Sequence, residues 1–186
     1  TLSSSMPWQI GFINIERPGR GVTVSAMGIN GAQLSQWSKW RPGMWEDLAQ
    51  TKADLIILAY GTNEAFSGNL DISSTERTWR DYIRQIKNTL PNAGILILGA
   101  PESLKTAYGS CGNRPVLLSE VQQMQQRVAR DEKIMFWSWQ DAMGGACSMK
   151  NWMAQGLAAK DGVHFSAQGY ETAADKLADS LIRFAQ

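Results

Sequence analysis

Ala53-Asp54-Leu55-Ile56-Ile57-Leu58-Ala59-Tyr60-Gly61-Thr62-Asn63-Glu64 is the stretch that decides how this chain folds. A nearly unbroken apolar run ends in a glycine and a polar turn, which predicts a central parallel strand covered on both faces. Gly94-Ile95-Leu96-Ile97-Leu98-Gly99-Ala100-Pro101 is a second run of the same type. Between the two, Ser73-Ser74-Thr75-Glu76 has the spacing of a capping box. Trp79, Tyr82, Ile83, Ile86 and Leu90 then share one helical face before Pro91-Asn92 ends the helix. Strand, amphipathic helix and strand together make a crossover unit, and crossover units build parallel sheets.

Downstream, Pro115 suits a first helical position, and Leu117, Val121, Met124 and Val128 form an apolar stripe to about Arg130. Lys133 to Trp139 reads as a short strand, followed by a long loop through Cys147. Ser166 is placed to cap a last helix whose apolar face is Tyr170, Ala174, Leu177, Ala178, Leu181 and Ile182. Upstream, Val22 to Ala26 reads as a β-branched strand running into the glycine-rich loop Met27-Gly28-Ile29-Asn30-Gly31-Ala32. Leu34, Trp37 and Trp40 suggest a short helix stopped by Pro42-Gly43, and a second spans about Met44 to Ala49. Trp8, Ile10 and Phe12 alternate as in a strand, with Ile13 and Ile15 slipping to the opposite parity, as at a bulge. The whole is an α/β domain with a parallel sheet.

The 186 residues are enough for one domain with a real core, and a net charge of +1 gives no footprint for nucleic acid or an anionic membrane. No apolar run reaches the roughly 20 residues that span a bilayer. The first residues, Thr1-Leu2-Ser3-Ser4-Ser5-Met6, resemble neither a signal peptide nor an initiator sequence, so a processed product is expected. Of the eight tryptophans, Trp37, Trp40 and Trp152 are assigned to core packing. Cys111 and Cys147 lie in glycine-containing, loop-like stretches, which favours a disulfide over buried filler and implies an oxidising compartment.

Asp161-Gly162-Val163-His164 holds the only histidine of the chain, three residues after an aspartate. One tight turn can bring such a carboxylate to Nδ1–H and leave Nε2 free as a general base. In open α/β sheets ligands gather beyond the carboxyl ends of the strands. Three features fall there: the loop containing Gly28 and Gly31, the turn Gly61-Thr62-Asn63-Glu64, and the Asp161–His164 loop. A glycine N–H and an asparagine amide are suitable donors to an oxyanion. Each loop alone is also ordinary turn chemistry.

Taken together and in this order, these motifs resemble the SGNH (GDSL-like) serine hydrolases over most of the chain, from about Val22 onward. The resemblance implies a flavodoxin-like three-layer α/β sheet. It makes Gly31 the second-block glycine, with Gly28 the alternative, and Asn63 the oxyanion asparagine. It makes Asp161 and His164 the acid and base of a triad. The loop Gly28–Gln33, the extended Gly61–Ala65 and the Met143–Cys147 stretch look most like bacterial envelope peptidoglycan O-acetylesterases. An acetylated glycan substrate, an acyl-enzyme route without metal or organic cofactor, and a periplasmic or secreted location are implied. Residues 1–20 are then a lead-in strand, the tail of an inserted β-domain, and residues 21–186 the C-terminal portion of the hydrolase domain.

One departure matters. The family's nucleophile stands in a Gly-Asp-Ser block after the first, central strand, and this sequence has no Gly-Asp-Ser. Ser3, Ser4 and Ser5 precede a strand, Ser25 lies inside one, and Gly109-Ser110 follows the wrong one. The expectation is a sheet lacking its first strand and an upstream segment of the same protein that carries the serine, so that this chain by itself is inactive. The alternatives are a homologue that lost its nucleophile and binds or scaffolds carbohydrate, and a lipid esterase or thioesterase on the same fold.

Overall fold

The computed structural model describes Gly19 and residues 21–184, so the expected strand from Trp8 to Ile15 lies outside it. Thr1–Asn30 and Gly31–Gln186 are separate compact units. Within the first, residues 21–29 have no regular structure, and Val22 and Val24 are 91% and 87% exposed. The strand expected over Val22 to Ala26 is therefore not formed. A β-branched run becomes a strand only when a neighbour pairs its N–H and C=O groups, and among the described residues none pairs with it.

The second unit opens with a 3₁₀ helix, Leu34–Lys39, and then runs through α1 (Met44–Thr51), β1 (Leu55–Leu58), α2 (Thr62–Phe66), α3 (Ile72–Thr89) and β2 (Gly94–Leu98). It continues with α4 (Leu118–Asp131), β3 (Met135–Trp137), α5 (Trp139–Met143), α6 (Ser148–Ala154) and α7 (Ala167–Phe184). Among the described residues the sheet is parallel and ordered β1-β2-β3, with Leu55 opposite Gly94 and Leu96 opposite Met135.

Side chains alternate across a strand, and one face of the sheet carries the main core. Leu58, Ile95 and Ile97 meet Trp79, Ile83 and Ile86 of α3 and Met124 and Val128 of α4. The other face of β2, Leu96 and Leu98, is buried as well. β1 departs from expectation. Its Ile57 is 43% exposed and Ala59 is exposed, because β1, one of the two edge strands among the described residues, is covered on one face only.

Two helix starts differ from the sequence reading. The N-cap of α3 is Asp71, whose carboxylate accepts from the N–H groups of Ser73 and Ser74, so the helix begins before the expected box. Glu76 instead binds Arg80 at 2.6 Å and Arg127 at 2.9 Å, tying α3 to α4. Pro115 lies ahead of α4, where its carbonyl accepts from Leu118 N–H.

Where a long loop through Cys147 was expected, the chain forms α5 and α6. Met143, Met149 and Trp152 from these helices join Leu104, Phe165 and Ala173 in a second buried cluster. Trp152 is 5% exposed with its indole N–H on the Met143 carbonyl, and Trp37 packs against the main core while stacking on Trp40. Cys111 and Cys147 form a disulfide. Beside it the fully buried Glu102 meets Arg114 at 2.6 Å, Gln140 Nε2 at 2.6 Å and Cys147 N–H at 3.3 Å.

Helix α7 is capped as expected, Ser166 Oγ accepting from Gly169 N–H at 3.1 Å. Its buried residues are Gly169 and Ala173, however, not the predicted stripe; Tyr170 and Ile182 are 48% and 58% exposed. The reason is close approach. A Cβ on Gly169 would stand 1.9 Å from the Leu157 carbonyl oxygen, so α7 docks by its smallest side chains. No helix among the described residues is long and apolar enough to cross a membrane.

Candidate active site

The Asp161–His164 segment is a loop tied at its neck. Ala158 and Phe165 form an antiparallel bridge, Ala159 N–H donates to the His164 carbonyl at 2.8 Å, and Ser166 N–H to the Leu157 carbonyl at 3.0 Å. Phe165 anchors the neck in the second cluster, with ring centroids 5.3 Å from Trp139 and 5.3 Å from Trp152. Leu104 N–H holds the loop's far side through the Gly162 carbonyl at 2.8 Å, and Gly162 takes φ +71° in the turn. The residue next to the histidine is thus buried while the histidine itself faces solvent.

Within the loop, Asp161 Oδ1 accepts from Val163 N–H at 2.8 Å and His164 N–H at 3.0 Å, and Oδ2 lies 2.7 Å from His164 Nδ1. The His164 N–H contributes most, then that of Val163 and the imidazole, and together they lower the Asp161 carboxyl from 3.8 to about 2. A depressed pKa means that Asp161 stabilises the folded loop above its unfolded-state value and that this contribution drains away as pH falls through about 2. In a carbon-detected NMR titration the Asp161 carboxyl is expected to titrate near 2, and a midpoint at the ordinary 3.8 would contradict the geometry. With an ionised acceptor on Nδ1, the imidazole carries its proton there and presents Nε2 as a base.

The two oxyanion-type loops meet each other. Gly31 is exposed in a turn with φ +77°. Just after it, the Ala32 carbonyl accepts from Asn63 Nδ2 at 3.0 Å, and Gln33 Nε2 donates to the Asn63 carbonyl at 3.2 Å. An amide nitrogen has two hydrogens, so Asn63 holds its position with one and keeps the other. The turn Gly61 to Glu64 is not a loop but the start of α2.

These pieces lie beyond the same end of the sheet. Asn63 follows β1, and the segment that grips Gly162 follows β2, its parallel neighbour. Gln125 of α4 joins the two exits. Its Oε1 accepts from Ala100 N–H at 2.8 Å and its Nε2 donates to the Tyr60 carbonyl at 2.7 Å, with the side chain fully buried. Among the serines weighed above, Ser25 and Ser110 are exposed, and Ser3 to Ser5 lie outside the described residues.

Sequence reasoning passed over Glu64, Gln125 and Phe165. Glu64 is 2% exposed; Oε1 accepts from Leu34 N–H and Oε2 from Gly61 N–H, each at 2.9 Å. Burial pushes its carboxyl above the ordinary 4.5, and the backbone donors pull it back. The available signal was a carboxylate three residues after Gly61, at capping spacing, amid apolar neighbours.

An exposed Asp–His pair and amide-bearing turns after parallel strands are groups of the kind that acyl-transfer chemistry uses. The GDSL-like lipase/acylhydrolase family profile matches residues 13–172, and the chain belongs to that family. A solved structure of a peptidoglycan O-acetylesterase is 69% identical, with a TM-score of 0.85 over 86% of this chain and 46% of that one. The chain therefore spans less than half the length of that relative. An acetyl xylan esterase (16% identical, TM-score 0.64, 82% of this chain and 78% of that one) shares the fold. So does a GDSL-like lipase from Bacteroides thetaiotaomicron (19%, TM-score 0.61, 84% and 73%). No curated protein matches the chain.

Proposed function

We propose that the protein containing this chain is a serine esterase that removes O-acetyl groups from a carbohydrate, with peptidoglycan as substrate, in the bacterial periplasm or outside the cell. The observation that carries the reading is His164 Nδ1 held 2.7 Å from an Asp161 carboxylate that two backbone N–H groups keep ionised. The substrate follows from the 69% identity to a peptidoglycan O-acetylesterase.

In this reading His164 Nε2 takes the proton of a serine hydroxyl as its oxygen bonds to the acetyl carbon. The carbonyl oxygen becomes an oxyanion held by Gly31 N–H and Asn63 Nδ2–H. The imidazolium then protonates the departing sugar oxygen, leaving an acetyl-serine. Water, deprotonated by the same nitrogen, adds to that ester; the tetrahedral adduct expels the serine oxygen, which regains its proton, and acetate leaves. Asp161 orients the imidazole and stabilises its charged form throughout.

The serine is assigned to an upstream segment of the same protein. Support comes from the edge position of β1 and the exposure of Ile57 and Ala59 on its face. Such surface calls for a covering layer. The test is to label the full-length protein with phenylmethylsulfonyl fluoride and map the modified peptide. Modification of a serine preceding Thr1, with loss of acetate release from O-acetylated peptidoglycan, is expected. Modification of Ser25 or Ser110 would overturn the assignment.

A further inference from the structure

We propose that Glu64 is the positioning residue of the oxyanion hole: its carboxylate clamps the Gly31–Leu34 segment to the Gly61–Asn63 turn and fixes the two donors in one geometry. The proposal rests on the esterase reading and adds a residue to it.

Capping the start of α2 needs one oxygen, and Oε2 does that on Gly61 N–H at 2.9 Å. The other oxygen leaves the helix altogether and accepts from Leu34 N–H, also at 2.9 Å, across thirty positions of chain. Three bonds cross this seam: Leu34 N–H to Glu64, Asn63 Nδ2 to the Ala32 carbonyl, and Gln33 Nε2 to the Asn63 carbonyl. The last two are open to solvent, where water competes for the same groups. Only the Glu64 bond is buried, and it is charge-assisted. It ends three residues after Gly31 and begins one residue after Asn63, so a change in either Glu64 bond moves one donor relative to the other. An oxyanion hole works only when its donors are held within about 0.5 Å of their productive places.

A carboxylate is required by the donor count. Two N–H groups converge on the side chain, and both oxygens of Glu64 accept. A glutamine of the same size offers one oxygen and turns its NH₂ toward the second N–H, donor against donor. The substitution therefore loosens the seam without opening a cavity.

The test uses the full-length enzyme, 4-nitrophenyl acetate as probe, and the variants Glu64→Gln, Asn63→Ala, their combination, and His164→Ala. Glu64→Gln is expected to lower kcat roughly ten- to a hundred-fold, somewhat less than loss of a whole oxyanion donor, with KM changed less than about threefold. Because Glu64 acts through the donors, adding Glu64→Gln to Asn63→Ala should cost less than about threefold more. A kcat within about twofold of wild type, or a full multiplicative loss in the Asn63→Ala background, overturns the proposal. If Glu64→Gln does not fold, Glu64→Asp keeps the charge but is one methylene too short for both donors, and the same kcat and coupling criteria apply to it. His164→Ala reports on the triad separately: an active His164→Ala enzyme sinks the esterase reading, whereas an inactive one beside an unimpaired Glu64→Gln sinks only the clamp.

Discussion

Alanine in place of His164 in the full-length protein is expected to lower kcat for acetyl-ester hydrolysis by about 10⁴-fold or more, with little change in KM. The size follows from the role proposed for the histidine. A serine hydroxyl is a poor nucleophile until a base removes its proton, and His164 is the only imidazole in the chain. Its Nδ1 is committed to Asp161 at 2.7 Å, which leaves Nε2 for the proton transfers of the proposed mechanism. No stability loss of note accompanies the change, because the side chain is 72% exposed and the loop is anchored by its neighbour Phe165. The residual rate expected is what the proposed oxyanion donors and binding supply. Initial rates with purified variant settle it; a loss of less than about tenfold would remove His164 from the role of base.

The second large effect is on stability. Replacing Cys111 and Cys147 by serine, or reducing the bond, is expected to lower the unfolding free energy by about 4 kcal/mol, the loop-closure value for a separation of 36 residues. For a domain of this size that is a fall in Tm on the order of 10 °C. The bridge spans α4, β3 and α5, so it restrains much of the second unit in the unfolded chain. It also seats Cys147 N–H on Glu102, whose carboxylate is fully buried and depends on Arg114 and Gln140 to stay satisfied. A buried charge that loses partners is costly. Calorimetry with and without reductant measures the difference, and a change below about 1 kcal/mol would show that the bridge constrains nothing the fold does not already fix.

What could be read from the sequence, and what could not, follows from the range over which each signal acts. The apolar runs at β1 and β2 and the helical stripe of α3 are local patterns longer than any competing turn, and they survive into the structure. Helices α2, α5 and α6 are five to seven residues long, too short for a 3.6-residue period to declare itself. Asp71 and Ser73 are both reasonable caps by composition, and only the backbone shows which one caps α3. The run Val22–Ala26 has strand chemistry but no pairing partner among the described residues, and propensity without pairing makes no strand. For α7, hydrophobicity marked one face while the fit of Gly169 against Leu157 selected another. The Asp161–His164 turn was legible because both groups sit in one short segment. Glu64 was not, since its second partner, Leu34, is thirty residues away.

The strand order β1-β2-β3 repeats the order of synthesis, with α3 and α4 as the successive crossovers. Each strand therefore pairs with the one before it across a single crossover helix, which is the shortest connection a parallel sheet allows. The bridge at Ala158–Phe165, which shapes the Asp161–His164 turn, lies later in the chain and in a different cluster. The Asp161–His164 turn therefore hangs on a cluster separate from the one beneath the sheet. In hydrogen exchange the neck of this turn is expected to open without the sheet, ahead of global unfolding, and protection equal to that of β2 would contradict this.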